Sequence, residues 1–199
     1  STAEYFTQTW LETPGFEKIN PPQIISLNPN SKILYGCRTG NNSKNIGGSA
    51  YCSFSNTIFL TNDQLKYFYN KKGESGIAYL MAHEFAHAVQ HAALNKLNNP
   101  ARELQADCIA GIFTTSMLNI SRSKMISLAR LSLHLGSDVH GTGSQRAYAL
   151  LTGLGVLEGT CFDEDMKKLA KNKVNNKSVM RLLNSRSGLK SIDIEKTPY

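Results

Sequence analysis

Three side chains near the middle of the chain have the types and spacing needed to bind a divalent metal and move a proton. His83 and His87 stand four residues apart in the run 76–94, which is rich in Ala and Leu and contains no Pro. Such a run reads as a buried helix. Residues four apart on a helix share a face, with roughly 5–6 Å between their Cβ atoms. Two imidazoles at that separation can reach one Zn²⁺, each nitrogen at roughly 2.0–2.1 Å from it. Glu84 lies about 100° further round the helix, at the rim of the same face. From there it can take a proton from an attacking water without ligating the metal. The bland alternative is a buried helix whose histidines are satisfied by backbone or carboxylate partners.

A catalytic zinc takes three protein ligands and keeps one open position. The form that continues H-E-x-x-H with Gly and His in the same segment is excluded, because Gln90 and Ala93 occupy those positions. The other form takes a carboxylate from a following helix. Asn99 and Pro100 carry the signals that start one, and Glu103 and Asp107 lie four apart on it. A short turn would make the two helices antiparallel neighbours. Glu103, with the longer reach, is the expected third ligand. Asp107 is expected to accept a hydrogen bond from the far nitrogen of a ligand histidine, which fixes its tautomer. The competing reading of Glu103 and Asp107 is an exposed helix face with ordinary charges.

The motif pair His83-Glu84-Phe-Ala-His87-Ala-Val-Gln90 and Glu103-Leu-Gln-Ala-Asp107-Cys108-x-Ala110-Gly111 resembles the neutral zinc metallopeptidases of bacteria. Two further stretches carry the same likeness, Ala50-Tyr51-Cys52-x-x-x-Asn56-Thr57-Ile58-Phe59-Leu60 and His140-Gly141-Thr142-Gly143-Ser144-Gln145-Arg146. The resemblance runs from about Trp10 to Cys161. It implies a gluzincin-like fold, one zinc per chain held by His83, His87 and Glu103, and Glu84 as general base for peptide-bond hydrolysis. It also implies that Asp107 supports His83. The chain departs from the family at Cys52-Ser53, where Cys-Pro is usual, at Ala86, where a second His is usual, and at Ala149-Leu150 in place of Trp-Phe. These departures leave the ligands intact and bear on the substrate groove.

His140 lies in the Gly-rich turn of the last shared motif, and a zinc peptidase benefits from a donor that stabilises the tetrahedral oxyanion. His140 is the candidate for that role and Tyr148 its substitute. Equally, the turn reads as a helix start that Arg146 ties to a carboxylate. Near a helix N-terminus the imidazolium form is disfavoured, so His140 would act as a neutral donor. His91 lies about 6 Å further along the helix axis than His87, too far to share its metal, and is expected at the rim. His134, inside an apolar helical stretch, is expected in the core.

The elements that must carry these residues read as mostly helical α+β, with a small N-terminal sheet before the H-E-x-x-H helix. Residues 4–11 suit a short amphipathic helix. Residues 23–27, 32–35 and, best of the three, 57–61 suit strands, with Asn62-Asp63 ending the last. An edge strand at 57–61 could bind an extended peptide by backbone pairing. Residues 39–49 are loop by composition. Further helices are expected at 123–135, 144–154 and 164–171, with a polar, irregular chain from residue 172 onward. Residues 1–162 are the expected peptidase domain and 163–199 a basic extension of it.

The 199 residues, 41% hydrophobic and 19% charged, describe an ordinary globule with a sizeable core. No apolar run approaches the ~18 residues that span a bilayer. Numbering from Ser1 without Met suggests a processed or trimmed form. The net charge of +7 is concentrated between Lys167 and Lys196, where nine basic residues face two acids. That tail could touch an anionic surface, though a solvated face is the simpler reading. It lacks the interleaved aromatics that stack bases, so no nucleic-acid partner is expected.

Cys37 and Cys52 bracket the residue 38–50 loop, and a bridge there would close about fifteen residues for roughly 3 kcal/mol. Four cysteines permit three pairings, and if that one forms, Cys108 and Cys161 are the leftover pair. The even count and the family likeness together indicate an extracytoplasmic setting, periplasmic, secreted or envelope-associated; four reduced, buried thiols are the alternative. Two rival functions fit the same residues: a non-catalytic, zinc-stabilised module that binds peptide or envelope, and a metal-free basic domain acting through residues 167–196.

Overall fold

A computed structural model describes residues 2–28, 48–118, 121–172 and 174–184. It is mostly helical α+β with a three-stranded sheet ahead of the H-E-x-x-H helix, the class indicated by the sequence. The chain divides into two compact units, Ser1–Asn95 and Lys96–Tyr199.

The first unit runs α1 (Thr2–Glu12), β1 (Gln23–Leu27), β2 (Ala50–Cys52), β3 (Thr57–Thr61), α2 (Asn62–Lys72) and α3 (Glu74–Ala92). The sheet order is β1-β3-β2, with β1 parallel and β2 antiparallel to β3. The apolar, β-branched strand β3 is therefore central, and all five of its residues are buried. This corrects the expectation of an edge strand there: both of its backbone edges are already paired, and β1 and β2 take the outer positions. Asn56 makes the β2–β3 turn possible. Its φ of 47° lies in the left-handed region that Asn tolerates, while its amide donates to the Asn20 carbonyl at 2.9 Å and its oxygen accepts from the Tyr51 hydroxyl at 3.0 Å.

Asn62-Asp63 does not simply end a strand. It opens α2, with Thr61 as N-cap and Asp63 in the first turn, where a carboxylate complements the helix dipole. Gly73, at φ +59°, turns the chain from α2 into α3. A Cβ at Gly76 would lie 2.3 Å from the Phe68 carbonyl oxygen, so the residue lets the two helices meet backbone to side. The core of the unit is aromatic. Phe85 of α3 packs on Phe6 and Trp10 of α1 with ring centroids 4.6 and 5.6 Å apart, and the Trp10 indole N–H donates to the Ile19 carbonyl at 2.8 Å.

The second unit runs α4 (Ala101–Leu118), α5 (Arg122–Ser132), α6 (Gly143–Gly153), α7 (Asp163–Lys171) and α8 (Asn176–Asn184). Two glycines bring α4 and α6 into contact. A Cβ at Gly153 would stand 1.8 Å from the Cys108 carbonyl oxygen, and one at Gly111 would stand 2.6 Å from that of Leu150. α6 begins with a capping box, in which Thr142 Oγ1 accepts from the Gln145 N–H and Gln145 Oε1 accepts from the Thr142 N–H. The other end of the Gln145 amide donates to the Leu169 carbonyl at 2.8 Å and so ties in the end of α7.

Two expectations are corrected here. The chain beyond residue 172 is not irregular throughout: Val179 and Leu183, four apart, are buried on one face of α8, and Arg130 donates to the Leu183 carbonyl. His134 is not a core residue. α5 ends at Ser132, two residues before it, and its side chain is exposed. The expected strand at 32–35 and most of the 39–49 loop lie outside the described residues.

Cys108 and Cys161 are disulfide-bonded across 53 residues of sequence, as expected for that pair. Cys52 is disulfide-bonded as well, and Cys37, its expected partner, lies outside the described residues. No helix among the described residues is long and apolar enough to cross a membrane.

Candidate metal centre

α3 is buried around almost its whole circumference, so the polar residues set into it are withdrawn from water together. His83, Glu84 and His87 are 6%, 6% and 8% exposed. The two imidazole rings stand edge to face, centroids 4.9 Å apart and planes at 89°. Their proximity follows from the four-residue spacing on one helix. His87 Nδ1 lies 2.8 Å from Oε1 of Gln90, one turn further along and itself 3% exposed. His91, beyond it, is exposed and has a ring neighbour in Tyr51 at 6.0 Å, consistent with a rim position.

On α4, Glu103 is 9% exposed and Asp107 fully buried. The alternative of an exposed, ordinarily charged face is thereby set aside. Asp107 is gripped by the fork of Arg146, with Nε donating to Oδ2 at 2.7 Å and Nη2 to Oδ1 at 2.9 Å. The third guanidinium nitrogen donates to the Leu135 carbonyl at 2.8 Å. A buried carboxylate bonded at both oxygens by one planar fork holds a single orientation. The helix-start reading of the 140–146 turn is thus correct as far as it goes: Arg146 does tie the turn to a carboxylate, and that carboxylate is Asp107.

The same turn also brings His140 near Glu103, with Nε2 3.6 Å from Oε2. On its other side, His140 Nδ1 lies 2.7 Å from the Ser137 hydroxyl, which also accepts from the His140 backbone N–H at 3.1 Å. A small β-bridge between Ser137 and Gly141 closes this loop. The His140 side chain is 43% exposed, so it meets solvent as well as the carboxylate. Tyr148, the substitute donor, is buried at 3% within α6.

His83, His87 and Glu103 each offer a ligand atom, and these atoms all lie within 4.8 Å of one another. The group could hold a metal ion. Two imidazoles and one carboxylate, all buried, form a donor set whose chemistry suits a borderline divalent cation. Nothing matches by comparison. Neither a family model, nor a curated protein, nor a solved structure is similar enough to assign a relative.

Two supporting residues escaped the sequence reading. Gln90 drew notice as the end of the shared motif and, with Ala93, as a residue that rules out the form with Gly and His in the same segment, but not as a partner of His87. Its position, three residues after a ligand histidine on the same helix, was the available signal. Ser137 carried none, because its contact with His140 depends on a loop closure that no pattern in the sequence reports.

Proposed function

We propose that this protein is a zinc metallopeptidase of gluzincin-like type, related to the bacterial neutral zinc metallopeptidases that its motifs resemble. The observation that carries the reading is the buried His83–His87–Glu103 group with its ligand atoms within 4.8 Å. A zinc ion bound there would polarise a scissile carbonyl and lower the pKa of water to about 7.

The chain's own residues account for the rest. Glu84, next to His83 and away from the ligand positions, takes the proton of the attacking water and returns it to the leaving amine. His140 supplies a hydrogen bond to the oxyanion. The Ser137 hydroxyl can donate to Nδ1 or accept from it; the oxyanion role requires that it donate, which leaves the ring proton on Nε2. Asp107, which the family resemblance assigns to the support of His83, is held in one orientation by Arg146. The disulfide between Cys108 and Cys161 is compatible with an oxidising, extracytoplasmic setting, where a peptide or protein would be the substrate.

Metal analysis of the purified chain should return one zinc per molecule. Glu103→Ala should weaken zinc by more than the roughly 10–100-fold that follows loss of a mere supporting hydrogen bond. Glu84→Gln should keep the metal and lose about 10²–10⁴-fold in turnover of a mixed peptide library. Zinc without turnover in the wild type would reassign the protein as a zinc-stabilised binding module. A chain without zinc would remove the hydrolase reading altogether.

A further inference from the structure

We infer that Gln90 is a positioning residue for the metal centre, fixing His87 in the tautomer that presents Nε2 to the ion. The inference rests on the metal-binding reading of His83, His87 and Glu103. It is carried by a separate observation inside α3, the 2.8 Å contact between His87 Nδ1 and Gln90 Oε1.

A carboxamide oxygen has lone pairs and no proton, so it can only accept. At 2.8 Å its partner nitrogen must carry the hydrogen, which makes Nδ1 the protonated nitrogen of His87 and Nε2 the one with a lone pair. Both groups are nearly dry, at 8% and 3% exposure. Reversing the tautomer would set two acceptor lone pairs against each other with no water to intervene, a cost in low dielectric that holds the proton in place.

Helix geometry explains why residue 90 does this. Long side chains on a helix lean toward its N-terminus and cover the preceding turn, so a Gln three residues after a His reaches back along the ring edge. At 90 the chain thus uses a residue of the same helix to orient its ligand. Asn in its place would be one methylene short, and an apolar residue would leave the Nδ1–H without this acceptor.

The test uses the full chain. In metal-free wild type, long-range ¹H–¹⁵N correlation should show His87 as the Nδ1–H tautomer. Gln90→Met keeps the length and removes the acceptor; it should lose a single tautomer at His87 and weaken zinc by roughly 10–100-fold in a competition titration. Gln90→Glu restores an acceptor at the same reach and should recover zinc affinity and the Nδ1–H form. A structural role for Gln90 would lower the melting temperature of both variants without this split between them. An Nε2–H tautomer in the wild type, or undiminished zinc affinity in Gln90→Met, would overturn the assignment while leaving the metal centre standing. A wild type with no zinc affinity would instead remove the metal centre, and this inference with it.

Discussion

The two helices that supply the candidate ligands are organised on opposite plans. α3 sets His83 and His87 by spacing along one helix, and one partner of His87 is Gln90, three residues away on the same helix. α4 sets Glu103 and Asp107 through contacts that are remote in sequence. Arg146 reaches Asp107 across 39 residues, Gln105 donates to the Cys161 carbonyl across 56, and the Cys108–Cys161 bridge spans 53. The difference follows from chemistry. A neutral imidazole buried on a helix needs one acceptor, which a neighbouring turn can provide. A buried carboxylate needs compensating charge or several donors, and a helix interior offers neither from its own backbone. The acidic half of such a centre must therefore be assembled from distant parts of the chain.

The sharpest way to break that contrast is to remove Asp107 and leave its remote partner, Arg146, unpaired. Asp107→Ala leaves the Arg146 guanidinium, 8% exposed as a side chain, without its carboxylate, and breaking a buried pair on one side costs about 3–5 kcal/mol. Hydrogen exchange should show protection lost over α4 and α6 while α3 keeps most of its own. Replacing both members, Asp107→Leu with Arg146→Met, should recover much of the loss, because no uncompensated charge then remains. Equal loss over α3 and α4 in the single variant would erase the distinction between a locally and a remotely built arm.

The disulfide is the next test in size. Cys108→Ala with Cys161→Ala reopens a loop of 53 residues and should cost about 2–4 kcal/mol in denaturant unfolding. The effect should fall on α4 and the start of α7, since Gln105 also bonds the Cys161 carbonyl and Asp163 there, at 2.8 and 2.9 Å. Zinc affinity should change less than stability, because Glu103 lies more than one helical turn from the bridge. A variant as stable as wild type would show the non-covalent contacts around Gln105 to be sufficient.

What the sequence allowed to be read divides along the same line. The H-E-x-x-H helix and the placement of Glu103 and Asp107 on the next helix follow from spacing within a short segment, whereas the pairing of Cys108 with Cys161, across 53 residues, was one of three that four cysteines permit. α2 was hidden because Asn62-Asp63 serves equally as a strand stop and a helix start, and only Phe68 in that helix is buried. α8 was hidden although Val179, Met180, Leu182 and Leu183 give it an amphipathic pattern, because the Lys-, Asn- and Ser-rich chain around it reads as irregular. His134 was misplaced by extending the apolar pattern to residue 135, three residues past the true end of α5. The central position of β3 could not be read at all, since strand order is set by pairing partners and not by the strand's own residues.

The smallest expected effect concerns the loop that joins the two readings of His140. If His140 is only part of a helix start, Ser137 matters because its hydroxyl accepts from the His140 backbone N–H at 3.1 Å. Ser137→Ala should then lower the melting temperature slightly and leave turnover untouched. If His140 donates to the oxyanion, the 2.7 Å contact of Ser137 with Nδ1 also sets which ring nitrogen carries the proton. Losing one hydrogen bond of about 0.5–1.5 kcal/mol then corresponds to roughly a 2- to 10-fold fall in kcat/KM. The fall should appear in kcat with KM little changed, because the interaction strengthens in the transition state. Zinc content should be unaffected in both cases, so the variant separates the roles of His140 without disturbing the ligands. A kcat equal to wild type, alongside a lower melting temperature, would assign the turn to architecture and move the oxyanion donor elsewhere, with Tyr148 the first residue to test.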